Sequence, residues 1–163
     1  MNIIQTKLLP IILVIFIVVL TTCSIYNQIN EYYLQDDPKI QDLKRLFEKF
    51  FNKDKYWDPP LDMLNNRDVM KEIVIYRGEK SYTINKQKVF LCLKDEKGYY
   101  YSLNNLIYVL THEIAHVLCD EIGHTTKFYD IFECLILKLI EDGIYNPSIP
   151  MDNNYCKNGD HEV

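Results

Sequence analysis

From Leu8 to Tyr26 the chain carries no charge, and from Leu8 to Leu20 every residue is apolar or Pro. No small water-soluble fold can hide such a run. As a helix it spans about 28 Å, close to the hydrocarbon thickness of a bilayer. Pro10 stands near its start, where a helix tolerates proline. Tyr26 ends it, at the depth where aromatic rings settle. The run predicts an N-terminal transmembrane anchor over residues 1–26 and one domain over 27–163. A cleaved signal peptide is the competing expectation, with Leu8–Leu20 as its apolar core. No Ala-x-Ala site follows, and Leu20-Thr21-Thr22-Cys23 only loosely resembles a lipoprotein box. Lys7 precedes the run, while Glu31, Asp36 and Asp37 follow it. The positive-inside rule therefore places the domain on the non-cytoplasmic side. The cysteines point the other way. There are five, an odd count without a CxxC pair, so no disulfide framework is expected and the thiols read as free or buried.

The remainder reads as an α+β domain. Asp36-Asp37-Pro38 has the form of a helix start, an Asp cap followed by Pro in the first turn. Ile40, Leu43, Leu46, Phe47, Phe50 and Phe51 follow at helical spacing to near Lys53. Glu72–Tyr76 reads as a strand. Ser81–Ile84 and Val89–Leu93 read as a hairpin around Asn85-Lys86. A second helix is predicted from Ser102 to Glu121, and a third from Thr126 to Gly143. The tail from Asn146 is expected to wrap the surface. The formal net charge of -5 is not the footprint of a nucleic-acid binder, and removing residues 1–26 takes away Lys7 but no acid.

Within the second helix stands His112-Glu113-Ile114-Ala115-His116. Residues four apart share a helix face, so both imidazoles can reach one metal. Glu113 is rotated about 100° from His112, free to meet a water rather than to ligate. This is the arrangement of hydrolytic zinc, in which the carboxylate acts as general base. Catalytic zinc needs a third protein ligand and an open position. His124 is the candidate, directly after Gly123, whose freedom lets the backbone turn back. Three of the four histidines fall between positions 112 and 124. Glu133 and Glu141 are alternative third ligands, with Glu133 or Asp130 as acceptors for an imidazole N–H. Cys119 and Asp120 also lie within chain reach of the site.

The motif together with Gly123-His124-Thr125-Thr126-Lys127-Phe128 resembles the WLM and SprT-like zinc metallopeptidases, most nearly the WLM-like metallopeptidases of large DNA viruses. In these a third histidine follows a loop and a Phe opens the next helix. Val89–Leu93, the turn Asp95–Gly98, Gly143–Pro147 and Asn154-Tyr155-Cys156 also look like segments of that group. Lys157-Asn158 stand where the group has Gly and an apolar residue. The likeness covers about Ser81 to Cys156. It implies a zincin-like minimal domain, in which a small sheet, an active-site helix and a following helix stand behind the N-terminal helix. It also implies peptide-bond hydrolysis with Zn2+ on His112, His116 and His124, and Glu113 as base. The expected partners are a peptide or protein substrate and, through the anchor, a membrane. Cellular relatives act on proteins crosslinked to DNA, a task ill suited to an acidic, tethered domain. An edge strand near Val89–Leu93 would hold the substrate extended. Tyr145 or Tyr155 could stabilise the oxyanion, but packing is the favoured expectation for each. A non-catalytic module stabilised by zinc, with Cys119, Cys156 or a carboxylate closing the site, is the alternative.

Overall fold

The computed structural model describes residues 3–52, 55–152 and 155–156. The chain divides into two compact units, residues 1–35 and 36–163. The first is one helix, α1 (Ile3–Gln35), which continues past Tyr26. It is long and apolar enough to cross a membrane, and none of its apolar window is buried. Thr21 and Thr22 fold their hydroxyls onto backbone carbonyls at 2.9 Å, so neither threonine adds an unsatisfied donor.

The second unit is α+β. Helix α2 (Pro38–Phe50) begins as the sequence predicts: Asp37 is the cap, its carboxylate accepts from Lys39 N at 2.9 Å, and Pro38 fills the first turn. The helix ends at Phe50, and Lys53 lies outside the described residues. Its apolar stripe buries Ile40, Leu43, Phe47 and Phe50, with Trp57 edge-on to Phe50 at 5.5 Å. A 3-10 turn (Asp62–Asn66) and the single-turn α3 (Val69–Glu72) lead into the sheet. Glu72 thus closes a helical turn, and strand β1 is Val74–Gly78.

Strands β2 (Tyr82–Ile84) and β3 (Lys88–Cys92) form the expected hairpin. Asn85 and Lys86 both take positive φ at its tip, the backbone of a tight hairpin turn. The sheet order is β1-β3-β2, with β1 parallel to β3. The Val89–Leu93 segment is therefore the centre of the sheet and not an edge; the free edge beside the hairpin is β2. On one face, Tyr76 and Tyr82 flank Phe90 at 5.0 and 4.8 Å in near-parallel stacks, which fixes the register. On the other, Ile75, Val89 and Leu91 are buried in a core shared with Leu106, Leu110 and Ile114 of α4 (Leu103–Leu118) and with Phe128, Ile131 and Leu135 of α5 (Thr126–Glu141). Ser102 and Thr125 cap these two helices.

The cysteine expectation is overturned in part. Cys92 and Cys156 form a disulfide across 64 residues, while Cys23, Cys119 and Cys134 are free. The described end of the tail is stitched onto the sheet rather than only laid over it. Ser81 Oγ accepts from Cys92 N at 3.0 Å and meets the Tyr155 hydroxyl at 2.8 Å, and that hydroxyl donates to Cys92 O at 2.7 Å. Residues 157–163 lie outside the described residues.

Asp37 does more than cap. It is 4% exposed and accepts both contacts of the Tyr100 hydroxyl at 3.2 Å. Asp37→Ala should lower stability by about 2 kcal/mol, the lost cap plus the stranded phenol. Urea unfolding of the two proteins checks it.

Candidate metal centre

Helix α4 places His112 and His116 on one face, half-buried, with Nε2 atoms 3.2 Å apart. His124 comes from the loop after the helix, and its Nε2 lies 3.1 Å from each of the others. Gly123 makes that return possible: its φ of +83° lies in the region that L side chains rarely adopt. The loop is held on both sides. Lys86, from the hairpin tip, donates to the Cys119 carbonyl, and Asp120 pairs with Lys127 at 2.7 Å. Phe128, fully buried, is the floor. Its ring stacks on His116 at 4.3 Å and stands 5.0 and 4.8 Å from His112 and His124.

Protons alone cannot satisfy this triangle. Each Nε2 of a neutral imidazole is either a donor or an acceptor. Among three such atoms two must be alike, so one contact is always donor against donor or lone pair against lone pair. A cation facing all three lone pairs removes the conflict. The spacing fits: with metal–nitrogen bonds of about 2.0–2.1 Å, tetrahedral ligands stand roughly 3.3 Å apart. The three ligand atoms form a group able to hold a metal ion, and an all-imidazole set suits zinc and its transition-metal neighbours. His116 is kept unprotonated, as a ligand must be. Burial, then His124 and Lys86, lower its pKa to about 4.

The alternative ligands lie outside this group among the described residues. Glu133 and Glu141 are exposed on α5, Glu141 pairs with Lys138 at 2.8 Å, and neither joins the cluster among the described residues. Asp130 and Asp120 are likewise outside it. Cys119 is buried away from the group, and Cys156 is consumed by the disulfide. Tyr155 donates its proton to Cys92 O, and Tyr145 is buried with its ring 5.9 Å from that of Tyr108.

Glu113, beside His112, is 5% exposed. Burial pushes its pKa up to about 7, against a hydrogen bond from Thr83 that lowers it. The Thr83 hydroxyl donates to Glu113 Oε2 at 2.7 Å and lies 3.3 Å from the Glu113 carbonyl. Thr83 escapes sequence reasoning. Its one signal is a hydroxyl at an inward position of β2, in register with Val89 and Ile75.

No protein-family model and no solved structure matches the chain. Three viral proteins do. "Uncharacterized protein 136R" of Invertebrate iridescent virus 6 is 48% identical over 119 residues, 71% of this chain and 67% of that protein. "Uncharacterized protein 042R" of Invertebrate iridescent virus 3 is 41% identical over 60% of this chain and 62% of its own length. "Uncharacterized protein R325" of Acanthamoeba polyphaga mimivirus is 34% identical over 67% of this chain and 58% of its own. With nearly half of the aligned residues identical across two thirds of the iridovirus protein, this chain belongs to the family of viral proteins that includes 136R.

Proposed function

We propose that this protein is a membrane-anchored, zinc-dependent metallopeptidase. The observation that carries the proposal is three imidazole nitrogens within 3.2 Å of one another beside a buried carboxyl group. His112, His116 and His124 would hold the zinc. When bound, zinc supplies Lewis acidity that lowers the pKa of water and polarises a carbonyl. Glu113 takes the proton of the attacking water and returns it to the leaving amine nitrogen. Burial raises its pKa to about 7 in the metal-free site, a perturbation of the kind that marks functional carboxyl groups. Strand β2, the free edge on the Glu113 side, is suited to align an extended substrate by strand addition. With Cys156 in a disulfide and Cys119 outside the cluster, the enzyme is favoured over a closed structural site.

The apolar window of α1, none of it buried, supports an anchor. The Cys92–Cys156 disulfide reverses the cysteine argument and sides with the charge pattern, in favour of a domain on the non-cytoplasmic face. In right-side-out sealed plasma-membrane vesicles from producing cells, a membrane-impermeant protease added outside should then digest the domain. Protection until detergent is added would place it in the cytoplasm.

His124→Ala should weaken zinc binding by at least about a hundredfold in a chelator competition, more than the loss of an outer partner costs. Unchanged affinity and stoichiometry would remove His124 as the third ligand. Glu113→Gln should keep zinc but lose hydrolysis of labelled casein; retained cleavage would remove Glu113 as the base. The same variant tests burial in the metal-free protein. The folded protein keeps a proton on Glu113 up to about pH 7, whereas the ordinary value is 4.5, so stability falls as pH rises between the two. Above pH 7 Glu113→Gln should therefore be the more stable protein, by on the order of 3 kcal/mol, with the gap closing below about pH 4.5. Urea unfolding across pH reads this directly.

A further inference from the structure

The inward face of the sheet is apolar where it meets α4, and Thr83 is the exception. In register it stands beside Val89, which is fully buried, and Val89 in turn beside Ile75. Valine has the same shape as threonine, lacks the hydroxyl and suits a strand as well. A fold needing only packing here would lose nothing by it. The hydroxyl instead reaches across to Glu113, 30 residues on, with its short contact on Oε2. Among the described residues no hydrogen bond engages Oε1.

The strand carrying Thr83 is three residues long, paired on one side only, and pinned at both ends. At its start Ser81 is locked to Cys92 N and to the Tyr155 hydroxyl, next to the Cys92–Cys156 disulfide. Past its end Lys86 grips the Cys119 carbonyl at the close of α4. Thr83 sits between two fixed points, one tied to β3 and the tail and the other to the end of the helix that carries His112 and His116.

We infer that Thr83 is a positioning residue for the base: its hydroxyl fixes Oε2 of Glu113 and so assigns proton transfer to Oε1. This rests on the metallopeptidase assignment. A carboxylate swinging about its last torsion offers the wrong oxygen part of the time, and misplacement on the ångström scale is costly in a proton-transfer step. Fixing one oxygen turns the other towards its task without adding charge to the site.

The full chain in detergent micelles tests this with Thr83→Val, Thr83→Ser and Glu113→Ala. The metal-free proteins are melted, zinc affinity is measured by chelator competition, and the zinc-loaded proteins are given fluorescein-labelled casein. Thr83→Val should lower the melting temperature by about 3 °C where Glu113 is present and leave it unchanged in the Glu113→Ala background. It should keep wild-type zinc affinity and lower kcat at least about tenfold with KM unchanged, and Thr83→Ser should recover most of kcat. An equal melting shift in both backgrounds overturns the clamp. So does an undiminished kcat in Thr83→Val beside a casein-cleaving wild type. If the zinc-loaded wild type leaves casein intact while the melting shift stays confined to the Glu113 background, the fault lies with the peptidase assignment and the Thr83–Glu113 clamp stands.

Discussion

Three imidazole nitrogens turned on one another do not attract each other, and the domain has to hold them together from behind. Each is fixed by a different kind of constraint. His112 and His116 are set by helical periodicity alone, once the core on the far side of α4 decides which face looks outward. His124 depends on a single backbone torsion at Gly123 and on the start of α5, where Thr125 caps the helix and Phe128 is driven into the core. Phe128 is the common element. Its ring touches all three imidazoles, so the packing that anchors α5 also fixes the distances between ligand atoms.

Most of this geometry was written locally. The Asp37-Pro38 cap, the Asn85-Lys86 turn, the stripe of α4 and the glycine before His124 are short-range signals, and each lies where it was expected. What escaped depends on contacts between distant segments. The parallel pairing of β1 with β3 puts β3 in the middle of the sheet, and nothing in the hairpin's own alternation says on which side a third strand will add. The Cys92–Cys156 pair was hidden in an odd count, across a separation that no spacing rule reads. Thr83 was hidden because one threonine in a strand is ordinary. Its meaning comes from Glu113, and that contact exists only once α4 is laid across β2.

The electrostatics of the bare site point in two directions at once. Burial holds protons off His116 yet favours a proton on Glu113, because in both cases it disfavours the charged form. A divalent cation on the three histidines would act on these tendencies unequally. It would take the lone pair that His116 already keeps free, and its charge beside the carboxyl would pull the Glu113 pKa down, against the desolvation that raises it. Under the proposed function, the ionisation of Glu113 would thus be tied to occupancy of the three-histidine site. Without a cation, burial raises the Glu113 pKa to about 7, so near that pH the carboxyl is divided between its neutral and charged forms, and a bound cation would shift it towards the carboxylate that the proposed proton abstraction needs. A buried glutamate that is costly to ionise on its own would, under the proposed function, become a competent base only once a cation completes the site.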